Sequence, residues 1–102
     1  MADRLEILAR HLAAENGHDV DGIMATYTPS PVVTVNGRAI AGTDRVRVFH
    51  ERFGFGGAGA FSDVEVVERH RHVTPDAVAI EQTLRGRHTG DWEGLASTGK
   101  RF

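Results

Sequence analysis

Leu5, Leu8 and Leu12 recur at i, i+3 and i+7, with Ala9 and Ala13 on nearby positions of the same face. That spacing predicts an amphipathic helix. Asp3 with Glu6 three residues on has capping-box spacing, and Asn16-Gly17 ends the helix where a left-handed residue is wanted. His11 is the one polar interruption close to the apolar stripe. Asp19 can cap a second, shorter helix on which Val20, Ile23, Met24 and Tyr27 repeat the spacing, and Pro29 and Pro31 forbid its continuation. Val32 to Val35 is a short β-branched run, Asn36-Gly37 a tight-turn dipeptide, and Arg38 to Gly42 the return. Thr43 then caps a third helix, with Val46, Phe49 and Phe53 along one side.

The second half alternates with period two. From Asp63 to Val73, strict alternation puts Val64, Val66, Glu68, His70 and His72 on one face, and Arg69 and Arg71 with Glu65 and Val67 on the other. Pro75-Asp76 makes a turn. Ala77 to His88 is the partner strand, whose more apolar set is Val78, Ile80, Gln82, Leu84, Gly86 and His88. That set is expected on the concave face under the helices. Arg69, Arg71, Arg85 and Arg87 fall together on the opposite face, with Glu65, Glu68 and Glu81 as their ion-pairing neighbours.

Composition narrows the function classes. The 102 residues are 40% hydrophobic and 25% charged, the balance of a single globular domain. A net charge of −2 without a basic stripe argues against nucleic acid. The absence of cysteine removes disulfides and thiolate metal sites. No apolar run reaches membrane-spanning length and no leader pattern opens the chain, so the cytoplasm is the expected location. Gly54-Phe55-Gly56-Gly57-Ala58-Gly59 fits G-x-G-x-x-G, but it leaves a helix and opens a strand, the reverse of a dinucleotide site. A glycine-rich rim loop is the better reading. His70, His72 and His88 offer imidazoles on adjacent strands, yet only Glu68 has the parity to close a coordination shell, so no metal is assigned.

The closing stretch is the most specific. Arg87-His88-Thr89-Gly90, a short acidic and aromatic insert, Gly94, and Ser97-Thr98-Gly99-Lys100-Arg101-Phe102 resemble the signature of the SnoaL-like polyketide cyclases, within the NTF2-like superfamily. The element order agrees along the whole chain. The resemblance implies an α+β cone, with three N-terminal helices packed on a curved, mostly antiparallel sheet around an apolar pocket, and a homodimer. Family cyclases close a ring in a polyketide ester by an intramolecular aldol condensation without a cofactor. Their acid/base carboxylate lies on a last strand that would follow Phe102, so 1–102 reads as one C-terminally incomplete domain. Asp76 and Asp91 both fall in turns and cannot inherit that role. A ketosteroid-isomerase-like site is broken twice, with His11 in place of the tyrosine and Val35 in place of the aspartate.

His88, at the end of the inner strand face, is the candidate catalytic group; the rival role is to hold the turn by hydrogen bonding. His11, Tyr27, Asn36 and Gln82 are candidate polar contacts to a ligand, and Phe49, Phe53 and Leu84 candidate apolar walls. The expected function is to act on or bind a hydrophobic polycyclic carbonyl compound. The alternative is a non-catalytic small-molecule-binding or dimerisation module. An acidic residue at the pocket floor would favour the enzyme.

Overall fold

The computed structural model describes residues 3–102. Three helices and four strands follow in the order α1 (Arg4–Asn16), α2 (Val20–Met24), β1 (Val32–Val35), β2 (Arg38–Ala41), α3 (Thr43–Phe53), β3 (Phe61–Val73) and β4 (Val78–His88). This is an α+β arrangement with antiparallel strands. The strands form two separate two-stranded ladders, β1–β2 and β3–β4, rather than the single curved sheet expected. Residues 99–102 begin a third strand on the far edge of β4. The His88 amide donates to Lys100 O (2.9 Å), and Gly86 and Phe102 exchange bonds of 3.3 and 3.0 Å.

Local chemistry accounts for most boundaries. Asp3 caps α1 by accepting from the Leu5 amide, and Asp19 caps α2 by accepting from Gly22. Asn36 and Gly37, with φ of 50° and 80°, make the two-residue turn between β1 and β2. Two caps differ from expectation. Gly17 stays helical at φ −83°, and the left-handed residue is His18 at φ 53°. Its ring bonds Val64 O at 2.9 Å, a contact that offsets the unfavourable backbone. Gly42, not Thr43, is the N-cap of α3; the Thr43 hydroxyl turns back to donate to Pro29 O (3.2 Å). The glycine-rich segment does leave a helix and open a strand. Gly54 sits at φ 128°, and a Cβ there would collide with the Phe61 carbonyl, so no side chain fits this corner.

The long hairpin corrects the alternation. β3 carries extra residues between Ser62 and Glu65, where Asp63 is at φ 53°, and again between Glu68 and His70. Each irregularity shifts side-chain parity by one. Beyond the second, Arg71 pairs with Ile80 and Val73 with Val78, while His70 and His72 stand opposite Glu81 and Ala79. The two histidines therefore leave the face of Val64 and Val66, and the four arginines do not share one face. Glu68 and Arg71 instead meet at 2.7 Å, and Arg85 lies 3.7 Å from Glu65. Both sides of β3 are exposed from Glu68 to Val73.

Helices cover only the near half of the hairpin. Ile23, Phe55, Val64 and Val66 are buried there, with Leu12, Tyr27, Phe53, Phe61 and Leu84 packed around them. The amide of Asn16 fixes the docking: its Nδ2 donates to Val66 O (3.0 Å) and its Oδ1 accepts from Val66 N (2.7 Å). One side chain thus satisfies both free backbone groups on the edge of β3, in place of a neighbouring strand. Asn16→Ala is expected to cost about 2 kcal/mol in urea unfolding, because it strands two part-buried backbone groups. Asn16→Asp, which keeps the acceptor but sets a second oxygen against Val66 O, should cost at least as much at neutral pH.

Candidate functional site

Two features with chemical potential emerge, one inside the helical layer and one on its outer side. The inner one is a polar cluster joining all three helices and the segment after α2. His11 and Glu15 lie one turn apart on α1, with His11 Nε2 3.7 Å from Glu15 Oε1. The His11 Nδ1 lies 2.8 Å from Thr26 Oγ1, and Thr26 donates its only hydroxyl hydrogen to Ile23 O at 2.6 Å. His11 Nδ1 must therefore carry the proton, leaving a lone pair on Nε2. The same reasoning fixes His50. Its Nδ1 faces Val46 O at 2.8 Å, an acceptor only, so Nε2 is the lone-pair nitrogen and accepts from Tyr27 OH at 3.2 Å.

Burial dominates the electrostatics here. It pushes the Glu15 carboxyl up to about 7, and pushes the Tyr27 phenol up to about 12, with nearby Glu15 adding to the rise. It lowers His11, with a further contribution from His50. It also lowers His50, against an opposing hydrogen bond to Val46. Glu15 thus keeps its proton up to about neutrality, beside imidazoles that burial holds in the neutral form.

The outer feature is a groove of about 670 Å³ between the β1–β2 hairpin, α3 and the loop after β4. Val35, Ile40, Val48, Phe49 and Trp92 line its apolar side, and Arg38, Asp44, Arg45, Arg52 and Glu93 its polar side. Trp92 packs on Phe49, Phe53 and Phe61 at centroid distances of 6.0, 5.4 and 5.8 Å. It exchanges backbone bonds of 2.9 and 2.8 Å with Leu95 around a turn in which Glu93 and Gly94 have positive φ. Arg38 spans the groove and grips both Glu93 oxygens, at 3.0 and 2.8 Å. Among the described residues, Arg45 and Arg52 have no ion-pair partner.

The residues singled out from sequence are divided between these places. His11 and Tyr27 join the buried cluster. Asn36 and Phe49 line the groove. Phe53 and Leu84 pack against the core, and Gln82 is exposed opposite Glu68. His88 lines neither feature. Its ring packs on Phe61 (5.2 Å), its Nδ1 lies 3.3 Å from Thr98 Oγ1, and its buried Nε2 has no partner among the described residues. Glu15, His50, Trp92, Arg45 and Arg52 were not anticipated. His50 had a visible signal, being four residues after Val46 and three before Phe53 on the apolar stripe. Glu15 is one turn after His11.

The Glu15 shift has a measurable consequence. In the unfolded chain Glu15 ionises near its ordinary 4.5, and in the folded chain only near 7. Folding therefore retains a proton between these values, and the associated stability, complete below about 4.5, is lost as pH rises through about 7. The lowered histidines act oppositely, losing stability as pH falls through about 6.5. Glu15→Gln, compared with the parent in chelator-treated buffer, is expected to gain relative stability from pH 5 to pH 8. The gain should be on the order of 2 kcal/mol after allowance for partial solvent contact. A constant difference in thermal midpoint across that range would rule the shift out.

Comparison with known proteins accords with this architecture. The family model described as a SnoaL-like domain matches residues 8–102. No curated protein matches the chain. Among solved structures, AclR from Streptomyces galilaeus, assigned as a hydroxylase, superposes with a TM-score of 0.75 at 28% identity, over 99% of this chain and 72% of its own. A protein from Jannaschia sp. CCS1 assigned as a SnoaL-like polyketide cyclase gives 0.76 at 22% identity, over 100% and 76%. TsrD from Streptomyces laurentii gives 0.77 at 22%, over 100% and 75%. The family match spans nearly all of the sequence, and the chain belongs to the SnoaL-like domain family.

Proposed function

We propose that this SnoaL-like domain binds a flat, hydrophobic polycyclic carbonyl compound in the groove between the β1–β2 hairpin, α3 and the Trp92 loop. The observation that carries this reading is an aromatic wall, Phe49 and Trp92, facing the side that bears Arg45 and Arg52. A fused-ring ligand would lay its apolar face on the wall and turn its carbonyl or carboxylate oxygens to the guanidinium groups. The assignment of the Jannaschia relative as a polyketide cyclase supports the same ligand class.

Binding is favoured over turnover. An aldol cyclisation needs a carboxylate free to take a proton α to a carbonyl. Of the two carboxylates at the groove, Glu93 is held by Arg38 and Asp44 lies in the first turn of α3. Glu15, the buried one, is absent from the groove lining. Dimerisation is a second reading, favoured by the doubly exposed half of β3. Light scattering would then give twice 11.1 kDa.

The only tryptophan of the chain lies in the groove and reports on its occupancy. Anthraquinone-2-carboxylate is expected to quench Trp92 fluorescence saturably. Phe49→Ala should weaken that binding about tenfold or more, as loss of a stacking wall of about 1.5–3 kcal/mol implies. Replacing both Arg45 and Arg52 by Gln should weaken the carboxylate probe several-fold more than unsubstituted anthraquinone. Quenching that fails to saturate, or is indifferent to Phe49, would remove the groove as the ligand site.

A further inference from the structure

We propose that His11, Glu15 and His50 form a divalent transition-metal site, of zinc type, that ties α1 to α3. One donor atom from each of the three lies within 4.8 Å of the others, and no other such group of three occurs among the described residues. This site is separate from the groove.

Three observations support it. The first is orientation. Both imidazoles have the proton on Nδ1, held by Val46 O in His50 and by Thr26 Oγ1 in His11, so both turn an Nε2 lone pair away from these anchors. Metal-bound histidines are secured in this way, with the second ring nitrogen donating to a fixed acceptor. Here the backing bonds are in place, and Thr26 is itself anchored to Ile23 O.

The second is an imbalance of donors and acceptors. With Glu15 ionised the cluster offers two imidazole lone pairs and a carboxylate, and among the described residues Tyr27 OH is then the only side-chain donor aimed into it, at His50 Nε2. Glu15 accepts no hydrogen bond from a described residue, and His11 Nε2 is 3.7 Å from it. Acceptors facing one another in a part-buried place are bridged by a proton, by water or by a cation. The third is the donor set. Two neutral imidazoles and one carboxylate suit zinc, with a fourth position left for water or the Tyr27 phenol. Donors on a tetrahedron of about 2 Å radius stand roughly 3.3 Å apart, so donors now within 4.8 Å of one another need to close by up to about 1.5 Å, within the reach of the Glu15 and His50 side chains.

The arrangement would act structurally. It would join the middle of α1 to the last turns of α3, next to Tyr27, where the helical layer has few other polar ties. His70 and His72, exposed on the hairpin, are the competing surface imidazoles and supply the control.

The test is titration of the chelator-stripped full chain with cobalt(II) and, separately, zinc(II). One equivalent of cobalt should give the intense visible absorption of four-coordinate cobalt, displaced by zinc. Glu15→Gln and His50→Ala should each weaken binding at least tenfold, whereas the double replacement of His70 and His72 by Ala should leave it unchanged. Zinc should also raise the thermal midpoint of the parent chain and not of Glu15→Gln. In case His50→Ala does not fold, the imidazole nitrogen resonances of the unmutated chain give an independent reading: zinc should shift Nε2 of His11 and His50 and leave Nδ1 protonated. Absence of four-coordinate cobalt at one equivalent, binding abolished by the His70/His72 replacement, or unshifted His11 and His50 nitrogens would each overturn the proposal.

Discussion

A single side-chain amide determines how the helical layer meets the sheet. Asn16 supplies to the edge of β3 the donor and acceptor that a neighbouring strand would have supplied, and His18 adds a third bond two residues along, to Val64 O. Helix–sheet packing through Leu12, Ile23, Val64 and Val66 is apolar and without direction, so it would tolerate sliding or rotation of α1. The amide bonds do not. By fixing the last turn of α1 to one residue of β3, they set the azimuth of the whole helix. That azimuth turns His11 and Glu15 towards α3 rather than towards solvent.

α3 has two faces with two different tasks. Val46, His50 and Phe53 look inwards, and Arg45, Val48, Phe49 and Arg52 contribute to the groove. Phe49 stands between them, packing edge-on against His50 at 5.4 Å and against Trp92 at 6.0 Å. The aromatic series continues through Phe53, Phe55 and Phe61, with centroid spacings near 5 Å. These large rings hold the loop after β4 against the helix, so that a segment without regular structure still presents a defined wall.

Much of the fold was legible because its signals are local. The Asn36-Gly37 turn, aspartate caps and helical spacing depend on neighbours within a turn and gave the observed elements, although α2 stops at Met24, short of Tyr27 and of the prolines expected to end it. Face assignment along β3 was not legible. Asp63 and Arg69 look ordinary in an alternating sequence, and only pairing against β4 reveals the extra residues. The site was less legible for a related reason. His11 and Tyr27 stood out as polar residues near apolar stripes, but their significance comes from His50, brought from 39 positions beyond His11 by tertiary packing. His88 attracted notice through its place at the end of the inner strand face, and the structure sets its ring against Phe61 and Thr98, away from both the cluster and the groove.

The irregularity at Arg69 bears on how such a chain can vary. Substitution there changes one exposed side chain, whereas loss of that one codon would restore strict alternation. The pairs from His70–Glu81 to Val73–Val78 would stand and each residue would keep its side, because Arg69 is the one residue that β4 leaves unpaired there. The outer half of the hairpin is exposed on both sides and can absorb such a deletion without disturbing the core. A relative lacking the extra residue, aligned to this chain without a gap, would therefore be compared face against opposite face beyond it.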